Sequence, residues 1–234
     1  MDYFYSPPKN ISAKEVVIDG DEFAHLTHVM RKNTDDIIRV VDGLGTAYDV
    51  QLTEIKKKTA HGAILQTYQQ HNEPAIDLTI AVGILKNPSK FDYLVEKATE
   101  LGVKKIIPLT TERTIPSHAK IDRWQKLALA AMKQCGRSYL PKVKELIDLN
   151  DLLNEQESYT TKLIAHENPI VKTKSSDVII QSEKSGIVLI GPEGGFGDEE
   201  ISLAENAGYS ILYLGERRLR TETAAIVAVA KLIG

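Results

Sequence analysis

Apolar and polar positions follow two different rhythms along this chain, and the change falls near residue 70. Before it, EVVID (15–19), DIIRVVDG (36–43), TAYDVQLTEI (46–55) and TAHGAILQTY (59–68) alternate or run apolar over strand lengths, with DGLG and KKK as turns between them. One helical stretch, DEFAHLTHVMR (21–31), interrupts them, and the polar run QQHNEPAID (69–77) reads as a linker. From Leu78 the order becomes strand, helix, strand. LTIAVGIL (78–85) is followed by KFDYLVEKATELG (90–102), which stops on Gly102, then by IIPL (106–109) and a long helix from about Ala119 to Cys135. KLIAH (162–166) and IVLI (187–190) predict strands, DEEISLAENAG (198–208) a helix closed by a C-cap glycine, ILYLG (211–215) a strand, and TETAAIVAVAKLI a last helix from Thr221.

This pattern predicts a small, mostly β module over residues 1–72 and an α/β domain over 73–234. Strands alternating with helices imply a parallel sheet covered on both faces. Ligands of such sheets sit at the carboxyl ends of the strands, where two glycine-bearing loops fall here. The final helix is apolar nearly all round, so it needs cover on every side, from its own chain or from another subunit.

Composition narrows the class. With 234 residues, 42% hydrophobic and 26% charged, the chain has the make-up of a globular protein that buries a real core. No apolar run approaches the roughly 20 residues of a membrane span, and MDYFYSPPKN does not read as a signal peptide. A single cysteine, Cys135, excludes an intrachain disulfide and any cysteine-rich metal cluster. A reducing, cytoplasmic setting is the expectation. The net charge is −3, yet between Arg113 and Lys144 the basic residues exceed the one acid, Asp122, by seven. A basic tract in an acidic chain is an electrostatic footprint for nucleic acid.

The chemistry lies in the loops. GPEGGFGDEE (191–200) joins a strand to a helix, but no Lys-Ser or Lys-Thr follows its glycines and its spacing is not G-x-G-x-x-G, so neither the Walker loop nor the dinucleotide fingerprint is present. Asp198, Glu199 and Glu200 suit the first turn of a helix and would repel a phosphate. A ligand with an adenosine-like body, a positive charge and no phosphate fits both facts, and S-adenosylmethionine has that profile. The second loop, LGERRLRTETAA (214–225), carries Arg217, Arg218 and Arg220 between apolar flanks, and a guanidinium there can fork onto a base carbonyl or a phosphate.

EKATELGV, MKQCGRSYLP, GPEGGF and LGERRLRTETA, in that order along the chain, resemble the RsmE family of bacterial methyltransferases that modify 16S ribosomal RNA. The resemblance covers almost the whole chain. It implies a PUA-like β-barrel RNA-binding domain followed by a SPOUT-type parallel sheet with a C-terminal trefoil knot, a homodimer, and methylation of uridine N3 from S-adenosylmethionine. It carries the cofactor site onto Ala165, His166 and Glu167, onto Gly191, Pro192, Glu193, Gly194 and Gly195, and onto Leu214, Gly215, Leu219, Arg220, Thr223 and Ala224. The sequence departs from the family's usual pattern at Arg218, where an aliphatic residue is more common, and over LKNPSKFDYL (85–94).

Uridine N3 lies on the Watson–Crick edge and bears a proton, so the target must be unpaired or extruded. Losing that proton leaves negative charge shared with O2 and O4, which positive donors stabilise. Arg220 is the first candidate, then Arg113 and Arg137, with Glu222 or Glu193 to take the proton or orient an arginine. For RNA binding, Arg123, Lys126, Lys133 and Arg137 project within about 80° of one another on an ideal helix, opposite Trp124, Ala128 and Met132. With Arg113 they form the expected cationic surface for a phosphate backbone. No metal is expected, His25 and His28 being a pair without further ligands. Two other classes stay open on residues alone: a dinucleotide-dependent oxidoreductase, and a non-catalytic RNA-binding or ribosome-assembly factor with a purely structural glycine loop.

Overall fold

The structure is a computed structural model that describes residues 2–155, 158–167 and 185–233. The chain divides into two compact units, Met1–Glu73 with Leu129–Leu140, and Pro74–Ala128 with Pro141–Gly234.

The first unit is a five-stranded sheet in the order β1-β3-β4-β5-β2, formed by β1 (Tyr3–Tyr5), β2 (Glu15–Asp19), β3 (Ile37–Val41), β4 (Thr46–Ile55) and β5 (Thr59–Gln69). The strict alternation read from the sequence sends Val16 and Ile18, Ile38 and Val40, and Val50 and Leu52 to one core with Phe4 and Ala60. The helical stretch is shorter and less regular than expected. α1 (Gly20–Ala24) runs into a π turn over His25–Val29, which inserts Leu26 into that core. The sheet also carries a polar cluster. Arg39 Nε donates to Asp49 Oδ1 at 2.6 Å, the Tyr68 hydroxyl donates to Asp49 Oδ2 at 2.8 Å, and the guanidinium lies 4.5 Å from the Tyr68 ring centroid. Burial pushes the Asp49 carboxyl up, but the Arg39 and Tyr68 hydrogen bonds outweigh it and hold the group below the usual carboxylate range. Arg39 Nη1 also lies 3.0 Å from His71 Nε2. An arginine can only donate, so Nε2 is the acceptor. Burial and the adjacent guanidinium accordingly lower the His71 pKa.

The second unit is built on a parallel sheet in the order β12-β10-β11-β6-β7-β8, with β9 also paired to β7. Its strands are β6 (Asp77–Gly83), β7 (Lys105–Thr110), β8 (Lys142–Val143), β9 (Ile147–Asp148), β10 (Thr161–Ala165), β11 (Ser185–Ile190) and β12 (Ser210–Leu212). The central β6, β7 and β11 are near-continuous apolar runs because both faces are covered. On one face α2 (Pro88–Glu100) and α6 (Thr221–Ile233) pack together, with α6 against β6 and β11. On the other, α4 (Leu149–Asn154) and α5 (Asp198–Asn206) bring Leu152, Ile201 and Ala204 onto Ile107, Ile164 and Leu189. Helix α2 starts earlier than the pattern suggested because Asn87 caps the Ser89 N–H at 3.0 Å and Pro88 takes the first helical position. Helix α6 is covered on one side only: Ala225, Ala228, Val229 and Leu232 are buried, while Thr223, Ala230 and Lys231 are exposed. The threading of residues 168–184, on which the expected knot turns, lies outside the described residues. No helix among them is long and apolar enough to cross a membrane.

The units differ from the expected division in one respect. Helix α3 (Ile121–Cys135) supplies its last turns, with the chain to Leu140, to the first unit. Met132 packs on Val41 and Ala47 beside Leu129 and Leu140. The helix stops at Cys135, Gly136 adopts φ +76°, and Arg137 turns inward, 3% exposed, onto Glu73, itself 0% exposed. Arg137 Nη2 donates to Glu73 Oε2 at 2.6 Å, and Glu73 Oε1 accepts the Ser138 and Tyr139 N–H groups at 2.9 and 2.8 Å. Arg137 is therefore no part of a solvent-facing cationic surface. Removing one member of such a buried pair strands the other charge. Arg137→Met and Glu73→Gln should each lower the unfolding free energy by about 3 kcal/mol or more, with the double variant losing less than the sum. Urea denaturation followed by circular dichroism measures this, and losses below about 1 kcal/mol for both would show that the pair does not hold the segment.

Candidate functional site

The loop after β11 folds back on itself through backbone contacts that leave no room for side chains. A Cβ on Gly191 would sit 2.9 Å from the carbonyl carbon of Gly195, and one on Gly83, at the end of β6, would sit 2.6 Å from the nitrogen of Pro192. The Gly195 N–H donates to the Pro192 carbonyl at 2.9 Å and closes the turn. Outside ties hold it. Glu193 Oε1 accepts the Lys86 N–H at 3.0 Å, and Arg113 Nη1 donates to the Gly194 carbonyl at 3.0 Å. Glu200 reaches back from α5, accepting the Gly197 N–H with Oε2 and the Glu112 N–H with Oε1, each at 2.8 Å. This caps the helix and ties the loop to the end of β7.

A cleft of about 640 Å³ opens at the carboxyl ends of the strands. Ala165, His166 and Glu167 border it after β10, Gly191 through Gly195 line it after β11, and Leu214, Gly215, Leu219 and Arg220 line it after β12, with Ala224 from α6. These sequence-predicted positions come together from separate loops. Thr223 does not join them: it is exposed beside the cleft lining. Asp198, Arg217 and Arg218, singled out in the sequence for their charge, also line the cleft, as do Ile190, Phe196 and Thr221, signalled only by adjacency to predicted residues. Lys90, from α2, also lines the cleft and lies in the segment 85–94, which the sequence marked only as a departure from the family pattern.

The cleft fits a nucleoside-sized ligand. Its volume is within the range of small-molecule sites. Gly195 and Gly215 line it at φ +70° and +120°, and a Cβ built on either would meet no atom within 4 Å. Both positions thus present bare backbone to open space, a cradle that side chains would fill. No group of three metal-ligating side chains occurs among the described residues.

The electrostatics differ from the sequence reading. Of the three acids at the start of α5, only Asp198 lines the cleft. Glu200 is 8% exposed and bound to two backbone N–H groups, and Glu199 lies outside the lining. The lining cations Lys90, Arg113, Arg217, Arg218 and Arg220 outnumber the acids Glu167, Glu193 and Asp198. Repulsion of phosphate is therefore not what selects the ligand. Of the two acids predicted to handle a proton, Glu193 lines the cleft and Glu222 does not. The Glu222 side chain is 12% exposed, with Oε1 3.4 Å from Lys90 Nζ.

The predicted cationic surface on α3 is largely neutralised by acids distant in sequence. Arg123 forks onto Asp92, with Nη2 to Oδ2 at 2.8 Å, and Asp92 also accepts the Trp124 indole N–H at 3.1 Å. Lys133 pairs with Glu22, and Arg137 with Glu73. Lys126 remains exposed, and Arg113 belongs to the cleft.

Residues 71–233 match a family model for an RNA methyltransferase domain, and residues 18–65 one for an RNA methyltransferase PUA domain. The ribosomal RNA small subunit methyltransferase E of Synechocystis sp. is 31% identical over 229 residues, covering 96% of this chain and 75% of that protein. The enzyme of the same name from Aquifex aeolicus is 31% identical over 237 residues, covering 100% of this chain and 99% of that one. A ribosomal RNA small subunit methyltransferase E from Neisseria gonorrhoeae, crystallised bound to S-adenosyl methionine, has the same fold with a TM-score of 0.87 at 33% identity, covering 98% of this chain and 95% of that chain. A PUA-type sheet, a parallel sheet with its cleft at the glycine loops, and relatives matched along nearly the full length agree: the chain belongs to the ribosomal RNA small subunit methyltransferase E family.

Proposed function

We propose that this protein methylates N3 of a uridine in small-subunit 16S ribosomal RNA with S-adenosylmethionine as methyl donor, acting in the cytoplasm as a homodimer. The observation that carries the reading is the bare backbone of Gly195 and Gly215 facing a 640 Å³ cleft in a chain of this family. The incompletely covered side of α6, where Ala230 is exposed and Ile226 and Val227 are half-buried, supports a second subunit there.

S-adenosylmethionine, when bound, supplies a methyl group activated by a sulfonium. The residues to hold it are those of the three converging loops, with Asp198 and Glu193 as the nearby negative charges suited to a cation. Methylation replaces an N3–H bond by an N3–carbon bond. The proton passes to a base, and the electron pair it leaves is shared with O2 and O4 until the new bond forms. Arg220 and Arg113, both exposed cations of the cleft lining, are donors for that charge. Glu193, fixed through Oε1 by the Lys86 N–H, is the acid placed to receive the proton.

Gly195→Val adds three carbons to the open side of the cleft and forces a β-branched residue into positive φ. Calorimetry should show S-adenosylmethionine binding weakened at least about tenfold, and wild-type affinity would place the site elsewhere. Arg220→Ala should lower kcat by about 10²- to 10³-fold with cofactor affinity nearly unchanged, whereas equal losses in both would make Arg220 a wall of the pocket. The function itself is tested by mass spectrometry of small-subunit RNA nucleosides. Cells lacking the protein should lose 3-methyluridine and regain it when the protein is restored; an unchanged nucleoside profile overturns the reading.

A further inference from the structure

Two helix starts meet beside the cleft with opposite charges. Lys90 stands in the first turn of α2 and Glu222 in the first turn of α6, with Lys90 Nζ 3.4 Å from Glu222 Oε1. The other carboxylate oxygen, Oε2, is closed off from solvent and accepts no hydrogen bond among the described residues. A carboxylate withdrawn from water with one oxygen unserved costs free energy, and a lysine in a first turn opposes its own helix dipole. A glutamate suits the first turn of its helix, but local helix preference explains neither its burial nor the lysine. The lysine has a second face: its side chain is 32% exposed and lines the cleft.

We infer that Lys90 is a further positioned cation for the reacting base beside Arg220 and Arg113, its ammonium directed at the uracil oxygen that gains charge as N3 loses its proton, and that Glu222 is a positioning residue acting through Lys90. The assignment rests on the proposed methyltransfer to uridine N3. Glu222 itself does not line the cleft, and its free oxygen is buried, so a base in the cleft has no path to it. Arg217 and Arg218 of the second loop are exposed, and Arg218 meets Glu167 only at 3.7 Å on the surface. Mobile surface charges of that kind suit a phosphate backbone. A lysine held against a buried carboxylate is preorganised, which is what a charge developing only during reaction requires.

The test is steady-state methyl transfer to small-subunit RNA by the wild type, Lys90→Met, Lys90→Arg, Glu222→Gln and the Lys90→Met/Glu222→Gln double variant, with denaturation midpoints to confirm folding. Lys90→Met should lower kcat by about 10²-fold while KM for RNA and the affinity for S-adenosylmethionine change by less than about threefold. Lys90→Arg should recover kcat to within about tenfold of wild type, and the double variant should be no slower than Lys90→Met alone. A folded Lys90→Met of unchanged kcat would reduce the pair to a structural role. Loss of RNA affinity and of salt dependence at constant kcat would make Lys90 a phosphate contact. A double variant much slower than Lys90→Met, with the acidic limb of the kcat–pH profile abolished by Glu222→Gln, would make Glu222 the proton acceptor. Wild-type protein that transfers no methyl group to this RNA would overturn the enzymatic reading and this assignment together; an active wild type beside any of the three contrary outcomes overturns the assignment alone.

Discussion

The site depends on backbone packed directly against backbone at the ends of β6 and β11. Gly191 lies against Gly195, and Gly83 against Pro192, at separations where a single methyl group would overlap main-chain atoms. That closeness turns the chain out of β11 within a few residues and leaves Gly195 with open space where its own side chain would stand. The pattern of glycines thus has two distinct physical reasons in one loop. Gly83 and Gly191 are small because protein fills the space, and Gly195 because the space is left to something else. The carboxylates of Glu193 and Glu200 then serve the loop's own N–H groups and their neighbours, so the turn is held by hydrogen bonds as well as by shape.

Charge is organised by the fold in a way that a window along the sequence does not reveal. The excess of basic residues between Arg113 and Lys144 is real, but Asp92, Glu22 and Glu73 reach its members from far away in the chain. Arg137 shows the principle in its strongest form. An arginine in a polar-looking stretch is withdrawn from solvent because a glutamate in the middle of the linker pairs with it, that glutamate also accepting two backbone N–H groups. The same holds for Asp198, Glu199 and Glu200. As neighbours in sequence they look like one acidic wall, yet only one of them lines the cleft.

Periodicity carried most of the fold. Strands β2 and β4 span the predicted segments, and α5 ends where Gly208 takes up φ +87° as a C-cap requires. The misses have physical causes. β1, β8 and β9 are two- or three-residue strands that exist only through partners distant in the chain, Tyr3 opposite Arg39 for one, and no local pattern encodes them. β12 stops at Leu212, with Leu214 and Gly215 given over to the cleft. The amphipathic pattern of α3 said that Met132 packs, but not that it packs on Val41 and Ala47 of the first unit. For the site, motifs located the three loops, while Lys90 became visible only when the sheet order placed β11 beside β6, whose following helix carries it.

The cleft's mixed charge follows from what it is asked to admit. An enzyme that brings a cationic small molecule and an anionic polymer to one point cannot line that point with a single sign. Here the negative groups Glu193 and Asp198 belong to the glycine loop and the helix it starts, while Arg217, Arg218 and Arg220 belong to the loop after β12. Strand order keeps those loops apart at their roots, since β10 lies between β11 and β12 in the sheet. Opposite fields can therefore coexist across one cleft without collapsing into ion pairs, and among the described cleft residues the cross-loop pair that does form, Arg218 with Glu167, is long and solvent-exposed. Lys90 is handled differently: Glu222, largely buried and outside the cleft lining, faces it at 3.4 Å, so Lys90 stands against a carboxylate while Arg217 and Arg218 stay at the exposed surface.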